Sequence, residues 1–195
     1  MAELKIIVEG YAREEKGVMF ASPTTVLIKD SNKNILIDPG ANKELLLKGL
    51  KKEGLKLENI DIVFISHYHP DHFLNIRLFP DKDIYDGSVI WSNDKETSYE
   101  DKIPSTNIKI IPTPGHSNEH CSLIVETDKG KVVIAVDVFW WMDHEEQKTD
   151  KRSLLNKEDP YATNKKELIN SRKKLLEIAD YIIPGHGKMF KFERH

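Results

Sequence analysis

Residues 66–73, Ser-His-Tyr-His-Pro-Asp-His-Phe, set three imidazoles and a carboxylate within six consecutive positions: His67, His69, Asp71 and His72. Imidazoles and carboxylates are common ligands of hydrolytic divalent cations, and crowding them together is costly unless cations offset the repulsion and lost hydration. Polar loops and purification tags also gather histidines, but a tag sits at a terminus. This cluster lies mid-chain, directly after Asn59-Ile60-Asp61-Ile62-Val63-Phe64-Ile65, a β-branched and aromatic run that reads as a buried strand. Strand alternation predicts His67, His69 and Asp71 starting on one side, with the chain turning to bring His72 round.

Three further groups share that position just past an apolar stretch. His116 follows residues 108–111 through Pro112-Thr113-Pro114-Gly115, Asp137 ends the run Val132 to Val136, and His186 follows Tyr181-Ile182-Ile183. Singly these signals are weak, because a histidine in a Pro/Gly turn is more often simply hydrogen-bonded and an aspartate at a strand end more often caps a turn. If the strands are co-aligned, however, every group collects along one edge, where loops are free to carry function. Five imidazoles with Asp71 and Asp137 match the needs of two cations, and Asp137 can bridge them.

The elements that must position these groups are legible in outline. Leu4 to Tyr11, Thr24 to Lys29 and Asn34 to Ile37 read as strands, the last stopped by Asp38-Pro39-Gly40. Asn42 caps a helix whose apolar face is Leu45, Leu46, Leu47 and Leu50, ending at Gly54. Strands follow at 89–91 and 108–111, then a hairpin of 122–126 and 132–136, an irregular stretch from 139 to 160, a helix over 164–178 and a strand at 181–183. This mixture predicts an α/β or α+β domain with helices outside sheets. At 195 residues without a Pro/Gly/Ser-rich linker, the expectation is a single domain over 1–195 with room for two layers of sheet.

A net charge of −3 with both signs interspersed argues against a strongly basic, nucleic-acid-coating surface. The basic runs Lys51-Lys52 and Arg172-Lys173-Lys174 are expected on solvated helix faces. One cysteine, Cys121, cannot form an internal disulfide, and no stretch reads as a signal peptide or membrane span, so a cytoplasmic protein with no membrane partner is expected. Cys121 heads an apolar strand and reads as a small core residue rather than a nucleophile. His144 and the terminal His195 are not ligand candidates.

On these motifs the chain resembles the metallo-β-lactamase superfamily. His67-Tyr68-His69-Pro70-Asp71-His72 is its His-x-His-x-Asp-His signature, and Leu36-Ile37-Asp38-Pro39-Gly40, Thr113-Pro114-Gly115-His116-Ser117, Ala135-Val136-Asp137 and Ile183-Pro184-Gly185-His186-Gly187 are similar to its other landmarks, in order. The resemblance implies a four-layer αβ/βα sandwich with the site between two sheets. It also implies a first metal on His67, His69 and His116, a second on Asp71, His72 and His186, a bridging Asp137, and Asp38 supporting the site by hydrogen bonds. Asp71 would additionally orient the nucleophile or carry a proton. The iron-handling branch has a carboxylate where this chain has His69, so two Zn²⁺ are expected, with Mn²⁺ or Fe²⁺ as alternatives.

Substrate contacts are expected from Phe20, in a flap joining the first two strands, from Phe139, Trp140 and Trp141 just after Asp137, and from His120; core packing of the tryptophans is the competing reading. The chain shows neither the C-terminal helical domain of glyoxalase II enzymes nor the inserted domain of the RNA-processing β-CASP branch. The leading expectation is a hydrolase of small esters, thioesters or lactones, with a homodimer as its assembly. A compact phosphodiesterase or nuclease on RNA or single-stranded DNA is the alternative, and a non-catalytic metal-binding protein is a third reading.

Overall fold

The computed structural model describes residues 1–193, so the terminal His195 lies outside the described residues. The strands are β1 (Glu3–Val8), β2 (Tyr11–Glu15), β3 (Val18–Ser22), β4 (Thr25–Asp30), β5 (Lys33–Ile37), β6 (Ile62–Phe64), β7 (Ile84–Tyr85), β8 (Val89–Ser92), β9 (Lys95–Ser98), β10 (Lys109–Pro112), β11 (Cys121–Thr127), β12 (Gly130–Val136), β13 (Tyr181–Pro184) and β14 (Phe190–Lys191). The helices are α1 (Lys43–Lys52), α2 (Pro70–Phe73), α3 (Lys151–Asn156) and α4 (Lys165–Ile178). Two sheets result, in the orders β1-β4-β5-β6-β7-β8-β9 and β10-β11-β12-β13-β14, with β2-β3 as a separate hairpin.

Side-chain alternation shows why the sheets face each other. Val26 and Ile28 of β4, Ile35 and Ile37 of β5, and Ile62 and Phe64 of β6 meet Val132, Ile134 and Val136 of β12 in a central core. The residues between them point outward: Leu27, Leu36 and Val63 pack under Leu46 and Leu50 of α1, while Val133 and Ala135 pack under Leu154 of α3 and Leu168, Leu175 and Leu176 of α4. Strands covered on both faces must be apolar at every position, which is why β5 and β12 read as continuous runs. The four layers are those of an αβ/βα sandwich.

Strand direction sets where the site forms. β5 and β6 run parallel, β12 and β13 run parallel, and β10 is antiparallel to β11, which is antiparallel to β12. Accordingly β10, β12 and β13 finish toward the same edge, where His116, Asp137 and His186 follow them.

Several local expectations are corrected. The first strand ends at Val8, and residues 11–22 form the β2–β3 hairpin, with a glycine pair, Gly10 and Gly187, bridged beside its base. β6 ends at Phe64, before the histidines, and Pro70 opens α2, so Asp71 and His72 are presented by a helical turn rather than by strand alternation. Within the stretch expected to be irregular, Asp150 accepts from the Ser153 N–H and starts α3. β9 is exposed at every residue and so carries no apolar alternation to read. Arg172 is 2% exposed rather than on a solvated face. Among the described residues, no helix is long and apolar enough to cross a membrane.

Phe64 is fully enclosed between the sheets, and Phe64→Ala is expected to cost about 3–5 kcal/mol of unfolding free energy. Asn42, whose side chain accepts from the Leu45 N–H at the start of α1, should cost only about 1 kcal/mol on change to Ala. Urea unfolding of the two variants side by side checks the ranking.

Candidate metal centre

His67, His69, His116 and Asp137 bring one potential ligand atom each within 4.8 Å of one another, as do Asp71, His72 and His186. Asp137 lies between the groups: its Oδ2 is 3.3 Å from His116 Nε2, 3.7 Å from His186 Nε2 and 3.9 Å from His67 Nε2, and its Oδ1 is 3.5 Å from His72 Nε2. Asp71 Oδ2 sits 3.4 Å from His186 Nε2 and 3.6 Å from His72 Nε2. The structure thus gathers all seven expected ligands into one cluster.

Each of four imidazoles has its outward nitrogen tied to an acceptor. Asp38 Oδ2 is 2.8 Å from His72 Nδ1 and also takes the Ser66 hydroxyl, while its Oδ1 takes the Ser66 N–H. Because Ser66 spends its only hydroxyl proton on Asp38, its oxygen accepts from His67 Nδ1 at 2.9 Å. Asp159 Oδ2 holds His116 Nδ1 at 2.7 Å, and His186 Nδ1 donates to the carbonyls of Tyr11 and Ser22, each at 2.9 Å. A proton kept on the outer nitrogen leaves the inner lone pair bare, the tautomer that ligates metal. Asp38, His67 and His72 also fall close enough to suggest a third ligand group. Asp38's oxygens are already engaged, so its role is support.

Three observations test whether these residues fit cations. His67 Nε2, His72 Nε2 and Asp137 Oδ1 are buried without a hydrogen-bond partner, although buried polar atoms ordinarily find one. His116 Nε2 and His69 Nδ1 face each other at 3.0 Å, and with His116 Nδ1 protonated toward Asp159, its bare inner lone pair points at the neighbouring imidazole. The cluster also recruits positive charge. Burial lowers His72 and raises Asp137, yet their mutual attraction, with Asp38 and His186 contributing, leaves His72 well above the usual imidazole range and Asp137 well below the carboxylate range. Burial and the neighbouring imidazoles push His67 well down. Imidazoles converging on a carboxylate whose field holds positive charge on His72 and His186 are a suitable donor set for divalent metals, which would take the place of those protons.

Backbone geometry makes the convergence work. Val136, immediately before Asp137, has φ of 50°, an outlier for a β-branched residue, and β12 slips register against β13 between Ile134 and Val136. Asp38 likewise sits at φ of 47°. A Cβ at Gly185 would lie 1.6 Å from Asp137 Oδ1, so only glycine lets the chain pass beside the central carboxylate.

A cavity of about 270 Å³ opens onto the cluster, with Ala12, Met19, Ala21, Pro70, Trp140, Met142 and Tyr161 completing its wall. Of the expected pocket residues, only Trp140 lines it; its ring is 5.7 Å from that of Tyr161 and 6.2 Å from that of His186. Phe139 and Trp141 belong to the core against α3 and α4, because successive residues leaving β12 point opposite ways. Phe20 alternates away from Met19 and Ala21 and lies under the Arg13 guanidinium. His120 is buried, with Nδ1 on Thr113 Oγ1, and burial followed by the nearby His116 pushes it down to about 3; it is outside the cavity wall. Sequence reasoning missed Asp159 and Tyr161. They lie in the α3–α4 loop, and only the 43-residue spacing of the His116 contact reveals Asp159.

The family model described as "Metallo-beta-lactamase superfamily" matches residues 19–107. The Xenopus laevis protein described as metallo-beta-lactamase domain-containing protein 1 is 28% identical over 97% of this chain and 82% of its own length. Mammalian proteins of that description are longer, and the chain spans 60 to 64% of them. A solved Thermotoga maritima structure superposes with TM-score 0.73 at 22% identity, covering 97% of this chain and 99% of its own. An N-acyl homoserine lactone hydrolase, solved with N-hexanoyl-L-homoserine product at its catalytic metal centre, has TM-score 0.60 at 18% identity over 95% of this chain and 92% of its own. The two structures speak to fold alone, and the fold they share with this chain is the one its strand ends use to gather their ligands. By family model, by relatives and by motif, the chain is similar to members of the metallo-β-lactamase superfamily.

Proposed function

We propose that this protein is a dinuclear zinc hydrolase of small esters, lactones or thioesters. His67, His69 and His116 would hold one Zn²⁺, Asp71, His72 and His186 the other, and Asp137 would bridge. The observation that carries the reading is the 3.0 Å approach of two inward imidazole nitrogens beside three buried, unpartnered ligand atoms. All-imidazole donors on one side suit zinc better than a harder cation. Bound divalent cations would bring the pKa of a coordinated water to about 7 and polarise the oxygen of the bond under attack.

The chain's own groups do the rest. Asp71 is 26% exposed at the cavity while Asp137 is 5% exposed, so Asp71 is the carboxylate able to exchange protons with substrate and solvent. Burial is the largest influence and raises its pKa, but the hydrogen bond from His186 and the nearby His72 and His186 charges together lower it on balance and keep it a carboxylate at neutral pH. It can therefore accept the proton of the attacking water and return it to the leaving alkoxide or thiolate. Asp38 and Asp159 keep His72 and His116 in the ligating tautomer. Trp140, Met19 and Met142 hold an apolar substituent and exclude water.

The wall of the cavity favours carbonyl substrates over nucleic acid. Among the described residues no lysine or arginine lines it, so a phosphodiester backbone would find no countercharge there beyond the metals. A lactone hydrolase of the same fold, with an N-acyl product at its metals, is consistent with this choice. A lone, buried Cys121 suits a reducing, cytoplasmic setting.

Metal analysis paired with an assay panel checks the reading: two metals per chain and chelator-sensitive cleavage of a p-nitrophenyl ester or lactone are expected. Cleavage of RNA or bis-p-nitrophenyl phosphate alone would replace it with the nuclease. Asp71→Asn, which keeps a ligand oxygen and loses the proton acceptor, should lower kcat by about 10²- to 10⁴-fold. Trp140→Ala should raise KM with little change in kcat. Gly185→Ala, by displacing Asp137, should reduce bound metal measurably, and full occupancy in that variant would remove Asp137 from the centre.

A further inference from the structure

A second cavity, of about 210 Å³, shares no lining residue with the substrate cavity. It lies between the α3–α4 loop and one face of α4, with Lys157, Glu158, Asp159, Lys165 and Arg172 supplying its charged groups near Leu168. Arg172 is 2% exposed. Its Nε donates to the Val138 carbonyl at 3.1 Å and its Nη1 to the Lys157 carbonyl at 2.5 Å, whereas Nη2 is buried with no partner.

These contacts leave the guanidinium's charge without a bonded anion. Among the described residues no carboxylate lies within the 4.0 Å of an ion pair; Asp159 is near enough to favour the charge, but one of its oxygens holds His116 Nδ1 and the other the Tyr161 N–H. Glu158, the other acid of the cavity, is exposed. Burial lowers Arg172 only to about 10, so it stays protonated at neutral pH. Carbonyls and a water can satisfy N–H groups, but they do not neutralise a buried cation, and buried arginine is ordinarily matched by carboxylate or phosphate.

We infer that this cavity is a binding site for a small oxyanion, a free phosphate or the phosphate or carboxylate end of a metabolite, with the Arg172 guanidinium as its central charge and Lys165 at its mouth. Lys157 is already paired with Glu145 at 3.0 Å and contributes its field rather than a free donor. Such an occupant would stiffen the loop that presents Asp159 to His116. The last consequence rests on the proposed metal centre; the binding itself does not.

The test uses the full chain treated with chelator, so that phosphate cannot bind through metal. Inorganic phosphate is titrated calorimetrically at constant ionic strength against chloride, and crystals soaked in selenate locate the anion by its anomalous signal. Expected are one saturable site per chain, an anomalous peak beside Arg172, and affinity weakened about tenfold in Arg172→Lys, which keeps the charge but loses Nη2. Lys165 is exposed, so Lys165→Ala should fold normally and weaken binding severalfold even if the Arg172 variant does not fold. No saturable binding to the wild type, unchanged affinity in Lys165→Ala, or a selenate peak confined to surface lysines or the histidine cluster would overturn the inference. Phosphate binding by a chain that hydrolyses no ester would leave this site standing and remove the catalytic reading.

Discussion

The structure is organised by one electrostatic constraint: several imidazoles and carboxylates must share one largely dry space with their inner atoms turned toward one another. Burying such groups is unfavourable unless each polar atom has a defined partner. The chain meets this by dividing every pinned imidazole in two. The outer nitrogen is spent on Asp38, Ser66, Asp159 or backbone carbonyls, and the inner one is turned toward the cluster. Only rigid supports can hold that division, and the supports are strand ends, a helical turn opened by Pro70 and a glycine passage.

That division also separates what is readable in sequence from what is not. The ligands were legible because metal chemistry restricts residue type and because each follows an apolar run: His67 after β6, His116 after β10, Asp137 after β12, His186 after β13. The sandwich was legible because doubly covered strands are apolar throughout. Asp38 came from its place in the motif, and the structure gives it two imidazole-directed contacts. Asp159 and Tyr161 were invisible because nothing local distinguishes them; their meaning comes from a loop folding back across the sheet end. The aromatic run 139–141 shows the limit of proximity in sequence. All three residues follow Asp137, yet chain direction sends Phe139 and Trp141 into the core and Trp140 alone toward the cavity. His120, four residues after His116, was expected to contact substrate and lies buried on a hydroxyl chain through Thr113 and Ser122.

Backbone strain also falls at two of these places. Asp38 and Val136 adopt left-handed backbone, and both lie where a strand must release a carboxylate sideways instead of continuing its pleat. The surrounding layers of aliphatic packing are what hold those conformations, so the large core and the small polar centre are parts of one balance. Arg172 belongs to the same account: a buried cation tethered to the Val138 and Lys157 carbonyls joins the strand that delivers Asp137 to the loop that carries Asp159.

The support of His186 differs in kind from the others. Its Nδ1 hydrogen is shared between the carbonyls of Tyr11 and Ser22, which face each other across the base of the β2–β3 hairpin, while Met19 and Ala21 further along that hairpin roof the cavity. One imidazole therefore serves as the rivet of the roof. Any tilt of the hairpin would carry the His186 imidazole with it, so the roof of the cavity and the orientation of this proposed ligand are mechanically linked without any relay between them.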